Sequence, residues 1–584
     1  MKTIFNSLRH LRAALAVALI CGALPAFGTT FTVTNTSDSG PGSLRDAIAN
    51  AAASGDTINF NLQYPATIPL LSSLAIRKSL TINGPGSSNL TIDAGGNDQV
   101  FTLYGAVNIS DVTIQGGSSL LGGCIFNASS VILQRVVVQF CNTDNQLGGG
   151  IFNGGTMILA NSSIRDNVAG TNGEIGKGGG IYNGTDLGVY LGGTLTIINS
   201  AIQANRAIGE QAGQPCGGVA NPPTSCGLGG GIYNHGGNVE MEGSTVEFND
   251  ALVGGGIYDE GGTLGVSSST ISGNSSTTDG AGIELSDGDE TTILSSTISN
   301  NTVDSTFSCC TGVGISQGQT SKLLTVTNST ISGNLGDGII ADSAIRVAFT
   351  TITNNLAGVV GLFIPQNNNS RILENSILSN NNGANCSFNA QGLSSLGHNL
   401  SDDASCAAVF TQLGDLNSTP AGLDPSGLRN NGGPTQTIAL EPGSAAINAV
   451  PLSFCVDGNG QAVTTDQRGD PRPKSTACDM GAFEFFITVK PIIATDIYHI
   501  WEEVKALKIA SKPKTTLLSE TNAAATAVNH GEKSLAIREL NLFVSSVASF
   551  ERSKVLTSKQ ASLFTSQAQA VIKKLSGATT AESR

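Results

Sequence analysis

Short runs in which apolar and polar residues alternate with a period of two fill most of the chain up to about residue 485. Thr194-Leu195-Thr196-Ile197-Ile198 is one of them. It is β-branched, alternating and too short for a helix, so it reads as a strand. Two elements recur between such runs. Gly-Gly-Gly-Ile-aromatic-Asn occurs at Gly148–Asn153, Gly178–Asn183 and Gly229–Asn234, with Asp closing Gly254–Asp259 and looser copies at Gly122–Asn127, Gly280–Leu285 and Gly312–Gln317. Ser/Thr-x-Ile-x-x-Asn closes at Asn167, Asn205, Asn249, Asn274, Asn301, Asn334 and Asn355, with differences of 38, 44, 25, 27, 33 and 21. A minimum of about 21–27 with variable excess predicts a fixed rung carrying loops of free length. No helix-length apolar pattern lies between the strands, which excludes βαβ units, and a propeller needs longer, more regular periods. The pattern predicts a mainly β fold, a right-handed parallel β-helix. Stacked strands bury a column of Ile and Val, the Asn residues form a hydrogen-bonded corner ladder, and the Gly triplets turn tight corners. If Gly254–Gly256 and Gly280–Gly282 are equivalent corners, the offset of 26 sets Tyr258 against Glu284, with Asp259, Glu260 and Asp287 close by.

The ends follow a different grammar. Ser43-Leu44-Arg45-Asp46 is a capping box, followed by Leu44, Ile48 and Ala52 on one face and stopped by Gly55, which predicts a short amphipathic helix over the first rung. After Phe486 the period becomes helical: Ile493, Ile497, Ile500, Val504 and Leu507, then Ile537, Leu540, Val544 and Val547. Thr557-x-x-Gln560 opens a last helix with Phe564, Ala568, Val571 and Leu575 inward. These predict a small C-terminal α-helical bundle.

The GGGI and Ser/Thr-x-Ile-x-x-Asn elements resemble polymorphic outer-membrane-protein repeats, with Ser or Thr mostly standing where that family has Phe. The run SGPGSLRDAIANAAASGDTINF resembles a CSLREA-type N-terminal segment, with Gly42 in place of its Cys. Leu428–Thr437, Pro442–Asn448, Asp466–Pro473 and Cys478–Glu484 are similar to a choice-of-anchor Q domain, and residues from about 513 to 575 resemble a FIMAH module. These resemblances imply a β-helix on an extracellular protein and no particular activity, because one such scaffold hosts adhesins, lyases and hydrolases. The expected organisation is a signal peptide over 1–28, an N-terminal cap and first rungs over 29–104, β-helix repeats over 105–420, the choice-of-anchor Q-like segment over 421–486, and the helical domain over 487–584.

Composition sharpens the expected compartment. Lys2, Arg9 and Arg12 precede the apolar run Ala13–Leu24, and Ala26-Phe27-Gly28 offers a cleavage site, which reads as a secretory signal. That run is short of the ~20 apolar residues of a membrane span, so no transmembrane segment is expected. The protein is therefore expected to be secreted or at the cell surface, outside the cell or associated with an outer membrane. The formal charge of −14 divides into +3 over 1–28, −22 over 29–489 and +5 over 490–584. So acidic a body repels phosphate backbones, and nucleic acid is excluded as a partner. The basic tail points to contact with an anionic envelope polymer through the helical module. Beyond Cys21 there are ten cysteines and no CxxC, which favours disulfides over zinc. The candidate pairs are Cys216/Cys226, Cys386/Cys406, Cys455/Cys478 and Cys124/Cys141, while adjacent Cys309 and Cys310 would strain a mutual bond.

Candidate chemistry is sparse. Residues 207–321 hold thirteen carboxylates and no Lys or Arg. Within them Asp287, Asp289 and Glu290 form an oxygen-rich turn suited to calcium, the one cofactor the sequence suggests; the alternative is a solvated acidic surface. Asp259, Glu260, Glu284 and Asp287 are the candidate carboxylate cleft of a glycoside hydrolase. A polyuronate lyase would need a base, for which Arg346 and Arg371 are the nearby candidates. Tyr182, Tyr190, Tyr233 and Tyr258 are among the few aromatics of the body that offer rings to a sugar. Asp466, Arg468, Asp470 and Arg472 read as a structural ion-pair knot. No nucleophile elbow, His cluster or phosphate loop appears. The leading expectation is an adhesin-like protein that binds an extracellular glycan or protein through the loop insertions Ala169–Lys177 and Ile208–Leu228, without catalytic residues. A polysaccharide lyase or glycoside hydrolase and a passive envelope spacer are the alternatives.

Overall fold

The computed structural model describes residues 28–51, 55–171, 175–184, 192–208, 227–288, 290–303, 312–361, 371–388, 392–485, 491–529 and 533–577. Every strand pairing among these strands is parallel, in four sheets of 14, 13, 12 and 7 strands. The chain visits the sheets in the same sequence on each circuit. Thr156–Ala160 lies in the first sheet, Ser163–Arg165 in the second, Val168–Ala169 in the fourth and Ile181–Gly184 in the third, before Thr194–Ile198 rejoins the first. This is the expected right-handed parallel β-helix. At ~4.8 Å per strand the first sheet extends about 60 Å.

The rung follows from its sequence. Leu195 and Ile197 point inward and are buried, while Thr194 and Thr196 are half-buried outside. Repeated over every rung, this alternation makes one continuous apolar core from Val33 to Phe410. Corners are turned by left-handed residues such as Asn161 (φ 51°) and Asn199 (φ 47°). At Gly148, Gly178, Gly229 and Gly254 the first glycine of each triplet has φ between 65° and 72°, where other side chains are disfavoured. A Cβ on the second glycine, Gly179, would lie 2.4 Å from the Arg206 backbone.

Ladders satisfy the buried corners. Asn205 is one step of the longest: its backbone N–H and Nδ2 both donate to Asn249 Oδ1, at 2.9 and 3.0 Å, and Nδ2 also donates to Ile164 O. The pattern runs from Asn167 through Asn274, Asn301, Asn334 and Asn355 to Asn381. A serine ladder precedes it, with Ser162 N–H donating to Ser200 Oγ at 3.0 Å and Ser200 N–H to Ser244 Oγ at 3.1 Å. A second asparagine ladder, Asn127–Asn153–Asn183–Asn234, ends on Asp259 Oδ1 at 2.6 Å.

Helix α1, Leu44–Asn50, buries Leu44, Ala47 and Ile48 in the main core, and Ser43 Oγ accepts from Asp46 N–H at 3.1 Å. Arg45 is occupied structurally, donating to Asp38 and to the carbonyls of Ser72 and Ser73. Disulfides join Cys124 to Cys141, Cys386 to Cys406 and Cys455 to Cys478. Cys216, Cys226, Cys309 and Cys310 lie outside the described residues, as does the signal-like run up to Phe27.

Residues 421–485 run back along the outer face of the second sheet. Thr297 Oγ1 donates to Gln436 O (2.6 Å), Asn328 Nδ2 to Thr465 O (2.6 Å), and Asn375 Nδ2 to Phe454 O (2.8 Å). The ion-pair knot forms here. Arg468 meets Asp466 at 2.6 Å and Asp470 at 3.2 Å, and buried Arg472 meets Glu484 at 3.2 Å while lying over the Phe349 ring.

Four helices follow: α2 (Pro491–Lys505), α3 (Ser511–Asn529), α4 (Lys533–Arg552) and α5 (Ser558–Gly577). Their own core holds Ile497, Ile500, Val504, Leu540, Val547 and Phe564 among others. Thr557 and Gln560 close the capping box reciprocally, at 2.9 and 3.3 Å. Helix α2 shares this core, so the bundle begins upstream of the stretch that resembles FIMAH. No described helix is long and apolar enough to cross a membrane.

Candidate functional site

The outward column of the third sheet carries the most unusual chemistry of the described body. Register aligns Phe126, Phe152, Tyr182, Tyr233, Tyr258 and Glu284 on successive rungs. The rings stack face to face, with centroids 5.2 to 5.4 Å apart. The stack is not a sugar platform. Leu121, Leu147, Leu228 and Ala128 pack against it, Tyr182 and Tyr233 have no exposed surface, and Tyr190 lies outside the described residues. The column breaks where Glu284 follows Tyr258, the neighbour that the 26-residue offset predicts.

The expected carboxylates do gather near Tyr258, because Glu284, Glu260 and Asp287 all act on its hydroxyl. Burial and these charges push that hydroxyl up to about 12, while a hydrogen bond with Ser286 pulls the other way. Each acid has a different situation. Asp259 is buried at the end of the second asparagine ladder. Glu260 accepts from the Tyr233 hydroxyl and lies 3.3 Å from His235 Nδ1. Glu284 is pushed up to about 8, chiefly by burial, against a hydrogen bond with Ser316 and with Asp279 and Asp342 adding to the rise. Its Oε2 is enclosed and accepts no hydrogen bond. Asp287 is exposed. Glu284 therefore holds a proton at neutral pH; its Oε2 is enclosed while the residue as a whole is half-buried.

Asp287 and Glu290 are both exposed, and Asp289 lies outside the described residues. Among the described residues no group of three His, Cys, Asp or Glu is placed to hold a metal ion. The two candidate lyase bases need correction. Arg371 has no exposed surface, so no polymer reaches it, and burial lowers its basicity against the pull of Asp342. Arg346 donates to Asn459 and packs under the loop around Gly458. Sequence reasoning missed Glu374, which that loop also covers; burial, with Asp457 adding to it and Arg346 opposing, pushes it up to about 7. Its signal was absent because Asp457 and Arg346 are far from it along the chain. His235 was missed for a similar reason, since its partner Glu260 lies one rung away.

No protein-family model matches the chain, and no curated protein matches it. A solved structure that does match is pectate lyase Pel9A, at 13% identity and a TM-score of 0.37, covering 78% of this chain and 97% of that one. At that level the likeness lends no weight to any activity.

Proposed function

We propose that this is an exported cell-surface or extracellular protein that binds a glycan or protein partner through loops inserted into a rigid β-helix, and that it does not turn over a substrate. One observation carries the reading. Of the four carboxylates of the candidate cleft, three are tied into the scaffold, Asp259 to a ladder, Glu260 to Tyr233 and His235, and half-buried Glu284 through an enclosed Oε2, which leaves exposed Asp287 without a second free acid beside it. A hydrolase needs an acid and a second carboxylate ~5–9 Å apart with the substrate between them. Three disulfides support an oxidising compartment. The loops are inserted between the fourth and third sheets, and loops on a rigid frame are where binding surfaces concentrate.

The test is a turnover screen of the purified protein on polyuronates and neutral glycans, beside a Glu284→Gln/Asp287→Asn variant. The expected result is no cleavage by either. Cleavage lost in the variant would overturn the reading in favour of a polysaccharide-degrading enzyme.

A further inference from the structure

Among the described residues, the outer face of the second sheet is covered by polypeptide at both ends and open between them. At one end Thr113 Oγ1 donates to Ser87 O at 2.8 Å, and Gly86 N–H donates to the corner carbonyl of Asp111 at 2.9 Å. At the other end Thr297 Oγ1 donates to Gln436 O at 2.6 Å, and the corner carbonyl of Ser295 accepts from Thr435 Oγ1 at 3.2 Å. Two unrelated segments of the chain thus use the same two positions of the rung. Further along, corner residues Asn328 and Asn375 donate their side-chain amides to backbone carbonyls in the same manner.

Between these ends the same column continues as Val137, Ser163, Ala201, Thr245 and Thr270, all half-buried, whereas Thr297, Thr330 and Thr351 under the covering segment are buried. The corner column continues as Arg135, Asn161, Asn199, Gly243 and Ser268. Asn161 and Asn199 are exposed, and their side-chain amides donate to no described residue. The Ser163 hydroxyl oxygen is enclosed beneath this surface and has no partner among the described residues. Of these two columns, Arg135 to Gly243 and Val137 to Thr245 line a trough of about 340 Å³ that starts at Ser87; Ser268 and Thr270 lie beyond it. Arg135, paired with Asp111 at 2.6 Å, is the one charged residue lining the trough; Arg165, paired with Asp166 at 3.0 Å, and Glu247 stand beyond it on the same face. Along the other edge stand Phe140 and Phe248, 56% and 65% exposed, each at a positive φ that bulky residues rarely adopt.

We infer that this trough docks an extended, uncharged polypeptide segment of a partner protein, gripped through its backbone carbonyls by Asn161, Asn199 and the Ser/Thr column. The argument is continuity: the occupant of the same face on both sides is polypeptide, held by equivalent atoms. The four rungs that line it span about 19 Å, room for roughly six extended residues. The two exposed Phe rings offer apolar contact to its side chains. The surface lies on a different side of the rung from the loops of the proposed function, and the inference stands without that reading.

The test uses random peptides displayed on phage, selected on the full exported chain. The expected result is enriched peptides whose affinity falls about tenfold on an Asn161→Gly/Asn199→Gly variant, as expected for the loss of one or two hydrogen bonds. Glycine keeps the left-handed corner and removes only the amide. Ala201→Arg fills the trough and should abolish binding. Thr245→Val replaces it if the arginine variant melts lower than the native chain. Loop-borne partner binding is unaffected by these changes, so each proposal can fail alone. No enriched peptide, or equal binding to native and variant chains, would overturn the inference. So would a solution dimer that Ala201→Arg dissociates, or an oligosaccharide that displaces the peptides, since the occupant would then be a second copy or a glycan.

Discussion

Replacing Asn249 with Ala removes four hydrogen bonds at once from the middle of the long corner ladder. Nδ2 loses its bonds to Ile202 O (2.9 Å) and Asn274 Oδ1 (3.0 Å), and Oδ1 no longer accepts from Asn205 N–H (2.9 Å) or Nδ2 (3.0 Å). Asn249 has no exposed surface, so water does not replace them. At about 1 kcal/mol net for each bond the loss is about 4 kcal/mol, and the Asn205 N–H is left buried without an acceptor. Rungs touch only their neighbours, so the damage stays local to the strands around residues 202, 246 and 271. Urea unfolding followed by circular dichroism reads the total, and hydrogen exchange reads where protection is lost. A loss below about 1 kcal/mol, with exchange unchanged, would refute the claim that the ladder holds the corners.

Three other outcomes follow from named contacts. Glu284 ionises in the fold only near pH 8 against its ordinary 4.5, so the native state keeps the extra proton and loses stability as pH rises through that window. Glu284→Gln should therefore be more stable than the native chain at pH 8 in thermal melts, with the advantage shrinking toward pH 4.5. Phe152→Ala, cut from a ring stacked on both sides and fully buried, should cost about 3–5 kcal/mol in urea unfolding. Residues 491–577 should fold alone as a helical bundle by circular dichroism, because Ile497, Leu540, Phe543 and Phe564 share a core of their own.

How far the sequence reveals this architecture depends on whether the signal is local. The Asn spacing names the long ladder from Asn167 to Asn355 but not its last step, Asn381, and the glycine corners predict the pairing of Tyr258 with Glu284. The capping boxes at Ser43 and Thr557 read correctly because their partners lie three residues away. The candidate site reads poorly. Tyr182 and Tyr233 look like exposed sugar contacts along the chain, yet both are fully buried in an apolar cluster with Leu147 and Leu228 that forms only when the rungs stack. Arg371 looks like an available base, and its burial depends on what the fold lays over it. The path of residues 421–485 back over Thr297, Asn328 and Asn375 joins groups 79 or more residues apart, through backbone carbonyls, Gln467 and a shared apolar core, so no local pattern announces it.

Binding through loops on a rigid frame is tested most directly by shortening the largest insertion. Its ends, Ile208 and Leu228, are both tied to Gly176, at 2.7 and 2.8 Å, so a short Gly-Ser link can join them without disturbing the rungs. Native and shortened chains would be compared on arrays of extracellular glycans and envelope proteins, with thermal melts as the control. The account predicts a partner retained by the native chain and lost by the shortened one at an unchanged melting temperature. Equal retention by both chains, or retention of nothing by either, would contradict it.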